Sequence, residues 1–121
     1  MPVSIVTAQS FLVAAKKLLK KYASLKSDLA TLEAQLLAKP DFGTTLGQNV
    51  YKVRLAIRSK GRGKSGGARV ITHLETELLT DEVTQTVSLL YIYDKADTAS
   101  ISQRELEDLI RSLSPKSWPL P

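Results

Sequence analysis

The chain has 121 residues, which is the usual length of a single domain. It has no cysteine and one histidine, His73, which excludes disulfide bonds and thiolate metal sites, so we expect neither a metal nor a cofactor. The net charge is +5. No apolar run reaches the roughly 18 residues of a membrane-spanning helix, and no secretory signal opens the chain, so we expect a cytoplasmic protein.

The first part of the chain predicts a short strand and two helices. Val3–Val6 is apolar enough for a strand, and apolar residues then recur at helical spacing over Phe11–Tyr22. A second helical run, Leu25–Leu37, is ended by Pro40, because proline disfavours helix at the preceding residue. The short link between the runs predicts a two-helix hairpin, and a turn-rich connector is expected to continue as far as Asn49.

The periodicity then changes from helical to strand-like. Val50–Arg58 alternates apolar and basic side chains, with Lys52 and Arg54 on the basic face. Ala68–Leu79 alternates again, and Thr86–Lys95 is nearly all apolar, as in a central strand covered on both faces. We expect these three strands to pair as an antiparallel meander.

A capped helix follows the strands. Ser102 and Glu105 fit the S-x-x-E capping box, and apolar residues within Leu106–Leu113 predict a buried stripe. The predicted fold is therefore α+β, with one domain over residues 1–114 and a loosely ordered tail over residues 115–121. A small antiparallel sheet would pack against the N-terminal helix hairpin, with a short C-terminal helix, in the order β-α-α-β-β-β-α.

The middle of the chain is strongly basic. Between Phe42 and Leu74 lie seven of the seventeen lysines and arginines and none of the twelve acidic residues. Such a segment attracts phosphate backbones, although a solvated charged loop is the plain alternative. At its centre the stretch RSKGRGKSGGARV, Arg58–Val70, combines basic residues with glycines.

This stretch contains Gly-Lys-Ser at positions 63–65, which is how a nucleotide-binding phosphate loop ends. The first glycine of that signature would fall on Arg58, and the segment leads into a strand, so no helix N-terminus is available for the phosphates. We therefore reject a nucleoside triphosphatase and keep a polymeric phosphate ligand open.

The strand alternation places several cations on one surface. Lys52 and Arg54 line one strand and Arg69 opens the next, so strand pairing would bring the three together. Lys95 is expected to end the third strand on the same side as Tyr93. A basic patch with a nearby aromatic ring suits a polyanion with stackable bases.

The stretch NVYKVRLAIRSKGRGKSGGARVI, followed by an apolar strand ending in YIYDK and an amphipathic helix, resembles the RelE/HigB branch of the RelE/ParE toxin superfamily. The resemblance extends from the helical hairpin to Leu113. It implies the toxin of a type II toxin–antitoxin module, with a small antiparallel sheet beside two N-terminal helices. The family's typical activity is cleavage of messenger RNA in the ribosomal A site, which the antitoxin silences by wrapping around the toxin.

The resemblance also implies a metal-independent ribonuclease reaction, in which the 2′-hydroxyl of the substrate attacks the adjacent phosphate. Lys52 and Arg54 match the family's basic pair, Arg69 matches the arginine that opens the following strand, and Lys95 stands where the family has an arginine or lysine. Arg54 and Arg69 would stabilise the transition-state charge. Lys52 would transfer a proton, and Lys95 would serve as acid or phosphate clamp.

Further side chains would hold RNA or the ribosome: Arg58, Lys60, Arg62, Lys64, His73 and Tyr93. The best-known RelE proteins have a substrate-orienting tyrosine near the C-terminus, whereas only Trp118 follows the last helix here.

The partners to expect are a cognate antitoxin and messenger RNA on the ribosome, with contacts to ribosomal RNA and none to a membrane. The toxin itself would be a monomer or part of a hetero-oligomer with its antitoxin. Two other functions remain open. One is a ParE-like inhibitor of DNA gyrase that cleaves nothing, and the other is a degenerate module that only binds RNA or its antitoxin.

Overall fold

The computed structural model describes residues 2–60, 66–98 and 100–113; the predicted tail lies outside them. The elements are β1 (Val3–Thr7), α1 (Gln9–Lys21), α2 (Leu25–Ala38), β2 (Thr44–Gly47), β3 (Val50–Leu55), a 3₁₀ turn (Arg58–Lys60), β4 (Ala68–Leu79), β5 (Glu82–Asp94) and α3 (Gln103–Leu113). The predicted α+β class is confirmed. Within the described ranges, no helix has the length and apolar character needed to cross a membrane.

The described strands form one mixed sheet in the order β1-β5-β4-β3-β2. The predicted meander of β3, β4 and β5 is confirmed. The expectation of a wholly antiparallel sheet is wrong, because β1 lies parallel to β5. The expected element order is also wrong by one strand, since β2 occupies part of the predicted connector and pairs with β3. The parallel direction of β1 depends on pairing between segments that are distant in sequence, which local periodicity does not encode. β2 pairs with its sequence neighbour β3, but its four residues are too few to show alternation.

The two N-terminal helices cover one face of the sheet. In α1 the buried residues Phe11, Ala15 and Leu18 recur at helical spacing, and the buried leucines of α2 extend the same core. Their partners on the sheet include Val53 and Val70, both fully buried. Because side chains alternate along a strand, the residues on either side of these valines in β3 and β4 point to the opposite face.

That opposite face carries α3. Leu106 packs into a cluster with Val50, Ile71, Leu90 and Tyr93. The predicted capping box is confirmed: the amide of residue 105 donates to the Oγ of residue 102 at 3.1 Å, and the amide of residue 102 donates back to the carboxylate at 3.0 Å. One face of the sheet therefore combines an apolar patch beneath α3 with the charged side chains of β3.

Candidate nucleic-acid interface

The strand register brings three predicted cations to the face that carries α3. Arg54 lies opposite Arg69, and Lys52 lies opposite Ile71. Arg69 in turn lies opposite Tyr93 on β5. Residues directly opposite each other on adjacent strands project to the same side of a sheet, so Lys52, Arg54 and Arg69 share one face.

Two of these cations border an open groove. Arg54 is exposed and Lys52 is half-buried. Among the described residues, neither side chain forms an ion pair or a hydrogen bond. With Phe42, Gly43 and Thr44 they line a space of about 280 Å³, which we call the Lys52–Arg54 groove. An anion entering this groove would meet two positive charges without breaking an internal contact.

Gly43 shapes the wall of the groove. Its φ is 109°, in the left-handed region that glycine adopts readily. A Cβ atom at this position would lie 2.6 Å from the carbonyl oxygen of Lys52. Glycine therefore lets the chain entering β2 approach the backbone of β3 closely, beside one of the two groove cations.

Arg69 and Tyr93 lie behind the exposed surface. They are 6% and 5% exposed, and the Nη1 of Arg69 donates to the carbonyl of Ala68 at 3.1 Å. Burial raises the pKa of Tyr93, while the charge of Arg69 and the backbone of Ile101 oppose that rise. The hydroxyl makes no hydrogen bond of ordinary geometry to a described residue. Arg54, rather than Arg69, thus presents its guanidinium to solvent.

Arg58 and Lys60 are held by internal carboxylates. The Nε of Arg58 lies 3.1 Å from Asp28, and the Arg58 amide donates to the second oxygen of that carboxylate at 3.2 Å. The Nζ of Lys60 donates to Asp94 at 2.7 Å, and only 8% of the lysine side chain is exposed. The RNA contacts expected from Arg58 and Lys60 stay predictions, but each cation already has an acidic partner within the fold.

Sequence reasoning did not single out Asp94, which connects three elements. Its carboxylate accepts hydrogen bonds from Lys60, from the hydroxyl of Tyr22 and from the amide of Ala96. Burial by itself would raise the pKa of Asp94, but these hydrogen bonds outweigh it and lower the pKa to about 2. The only sequence signal was an aspartate at the end of an apolar strand, and its lysine partner lies 34 positions away.

Lys95 lies just beyond β5 and not in it, because the strand ends at Asp94. Its amide donates to the carbonyl of Gly67 at 3.1 Å. This hydrogen bond holds the backbone of Lys95 beside Gly67, which precedes β4 and is two residues before Arg69. Lys95 therefore lies at the same end of the sheet as the predicted cation patch.

The remaining predicted residues lie away from the groove or outside the described residues. His73 is half-buried, four positions along β4 from Arg69. Burial lowers the pKa of His73, and the nearby charge of Glu75 opposes this only in part. Arg62 and Lys64 are outside the described residues.

Comparison of the chain with protein-family models, with curated proteins and with solved structures gave no match. The support for a function is therefore the geometry of the Lys52–Arg54 groove, together with the resemblance carried by the basic segment.

Proposed function

We propose that this chain is the toxin of a type II toxin–antitoxin module, similar to the RelE/HigB branch, and that it cleaves messenger RNA on the ribosome. The observation that most supports this is a pair of cations at the edge of an open groove, Lys52 and Arg54, which have no ion-pair partner among the described residues. Arg69 lies directly across from Arg54 and adds positive potential behind it. An antitoxin with an acidic segment would silence the protein by covering the same groove.

The reaction needs no group beyond the substrate and these side chains. The 2′-hydroxyl of one nucleotide attacks the adjacent phosphate, the bond to the 5′-oxygen breaks, and a cyclic phosphate and a 5′-hydroxyl are left. Arg54 would neutralise the added charge on the pentacoordinate phosphorus. Lys52, in its neutral amine form, would accept the proton of the 2′-hydroxyl, and Lys95, as the ammonium, would protonate the leaving oxygen.

The test is incubation of the purified protein with translating ribosomes, followed by mapping of the messenger ends. We expect fragments with 5′-hydroxyl ends, and a loss of roughly 10²-fold or more in cleavage rate for Arg54→Ala, the usual effect of removing one transition-state charge partner. Lys26→Ala removes one charge from an exposed position of α2 and should leave the rate unchanged. If the messenger stays intact and the protein instead inhibits DNA supercoiling by gyrase, the ParE-like alternative would be selected.

One observation favours a second candidate, a module that binds RNA without cutting it. The five residues that line the groove include no histidine and no carboxylate, and Arg69 and Tyr93 are buried. Such a module would bind RNA in a groove-dependent manner and release it intact. RNA that is retained by the wild-type protein but never cleaved, with or without ribosomes, would select this candidate.

A further inference from the structure

The hairpin of β4 and β5 extends beyond its neighbours in the sheet. Pairing of β3 with β4 reaches only as far as His73, and pairing of β1 with β5 begins only at Gln85. Beyond these limits, from the Glu77–Thr84 pair to the turn, the two strands pair only with each other, as far as the described residues show. Glu75 and Thr76 pair with residues of β5 whose other edge is still covered by β1. We call residues 75–84 the acidic arm. A two-stranded ribbon is marginally stable in water when nothing packs against it, so an arm of this length suggests a covering partner.

The charge of the arm selects the kind of partner. Its acidic residues are all exposed: Glu75, Glu77, Asp81 and Glu82. The sequence has no lysine or arginine between Val70 and Asp94. Leu78 is 69% exposed, which is unusual for a leucine on a strand edge that pairs with no described residue. Like charges disfavour pairing of one acidic arm with another, so we expect the arm to bind a basic surface.

The chain carries such a surface, but its own arm cannot reach it. Lys52 lies opposite Ile71, which is four residues from Glu75 and six from Glu77, so these acids lie about 14 and about 20 Å from it along β4. Both separations exceed the screening length of about 8 Å at physiological salt, so the arm does little to neutralise Lys52 and Arg54 of its own chain. Lys52 and Arg54 have no ion-pair partner among the described residues, as shown above.

We propose that the acidic arm docks onto the Lys52–Arg54 groove of a second copy of this chain. Cations and acids lie at opposite ends of one strand, so two copies related by a two-fold axis, with β4 running in opposite directions, place each arm against the other copy's groove. Two equivalent contacts then form at once, as in an isologous dimer. The dimer covers both grooves, so RNA and the second copy compete for the same cations.

The proposal is tested with the full chain by sedimentation over a range of protein concentrations at low and at high salt. We expect a dimer at low salt that dissociates as salt rises. The double variant Glu75→Lys/Glu77→Lys should be monomeric, because its arm repels the groove. Glu33→Lys/Glu107→Lys makes the same change in net charge at exposed sites on α2 and α3, and should leave the dimer intact.

A charge exchange identifies the surface that the arm contacts. Lys52→Glu/Arg54→Glu should also be monomeric by itself. Mixed with Glu75→Lys/Glu77→Lys, it should form a heterodimer, because each arm then faces a groove of opposite charge. A wild-type chain that stays monomeric at low salt overturns the proposal. So does a dimer that survives the arm substitutions, or a mixture that fails to associate. A monomer whose arm binds a lysine-rich peptide would instead assign the arm to a different, basic partner. None of these readouts depends on RNA cleavage.

Discussion

The carboxylate of Asp94 is nearly inaccessible, with 1% of its side chain exposed, and its folded-state pKa is lowered to about 2 from the ordinary value of 3.8. Because the folded pKa is the lower one, the stabilisation is fully present above pH 3.8 and is lost as the pH falls toward 2. The shift corresponds to about 2 kcal/mol of unfolding free energy. We expect Asp94→Asn to remove at least that much at neutral pH and to flatten the acid dependence in this range, as measured by urea denaturation at several pH values.

Asp97→Asn is the matched control for this prediction. Asp97 is close in sequence, but 65% of its side chain is exposed, and its contact with Lys21 is 4.0 Å long. An exposed pair of this kind contributes little to stability, so the control should keep the acid dependence of the wild type. If the Asp94 variant and the wild type lost equal stability on acidification, the buried carboxylate would not be the group responsible.

At the scale of single residues, the sequence predicted which face a side chain occupies but not its partner. Alternation along the strands placed Lys52, Arg54 and Arg69 together, and the register agrees. Alternation could not reveal that Arg69 is buried, because burial depends on what packs over the strand. Nor could it reveal the acidic partners of Arg58 and Lys60, which lie 30 and 34 positions away in the chain.

At the scale of elements, the 3₁₀ turn is held by two ion pairs of unequal burial. The Lys60–Asp94 pair is almost fully buried, whereas 68% of the Arg58 side chain is exposed. Removing one partner of a buried pair leaves an uncompensated charge and costs about 3 to 5 kcal/mol, while an exposed pair contributes about 0 to 1 kcal/mol. Asp94 keeps its hydrogen bonds from Tyr22 and Ala96 and the exposed Lys21 at 3.7 Å, so we expect Lys60→Met to lower the unfolding free energy by up to about 3 kcal/mol, and Arg58→Met by much less.

Chemical denaturation of the two variants measures this difference. Asp28 keeps hydrogen bonds from Ser24 and from the Arg58 amide after the guanidinium is removed, which is why the second loss should be small. RNA affinity distinguishes a stabilising role of Lys60 from a role in RNA binding. If the lysine serves only the fold, the folded Lys60→Met variant should bind RNA as the wild type does. A larger loss of stability for Arg58→Met than for Lys60→Met would contradict the assignment.

Periodicity predicted the elements whose signals are local. α1, α2 and the meander strands each show their spacing within one window, and the capping box of α3 lies within four residues. β2 was missed because Thr-Thr-Leu-Gly is too short to show alternation, and its backbone is satisfied by pairing with β3. The parallel direction of β1 follows from its docking beside β5, which no local pattern encodes.

At the scale of the whole molecule, charge is separated along the sheet. The basic end carries the Lys52–Arg54 groove and the other end carries the acidic arm. A polyanion is therefore attracted to one end and repelled by the other. With a screening length of about 8 Å at physiological salt, the groove acts almost independently of the arm. At low salt the arm's repulsion reaches further and should disfavour RNA that extends past the groove.

The salt dependence of RNA binding locates the contact surface without relying on cleavage. Each phosphate neutralised on a single strand contributes about 0.7 to the slope of log K against log salt, so Lys52→Ala/Arg54→Ala should reduce the slope by about 1.4. Lys16→Ala/Lys20→Ala also removes two cations, from exposed positions of α1, and should change the slope little. Fluorescence anisotropy with a labelled single-stranded RNA over a salt series measures both. Equal reductions from the two double variants would mean that RNA is attracted by net charge alone and that the groove is not its binding site.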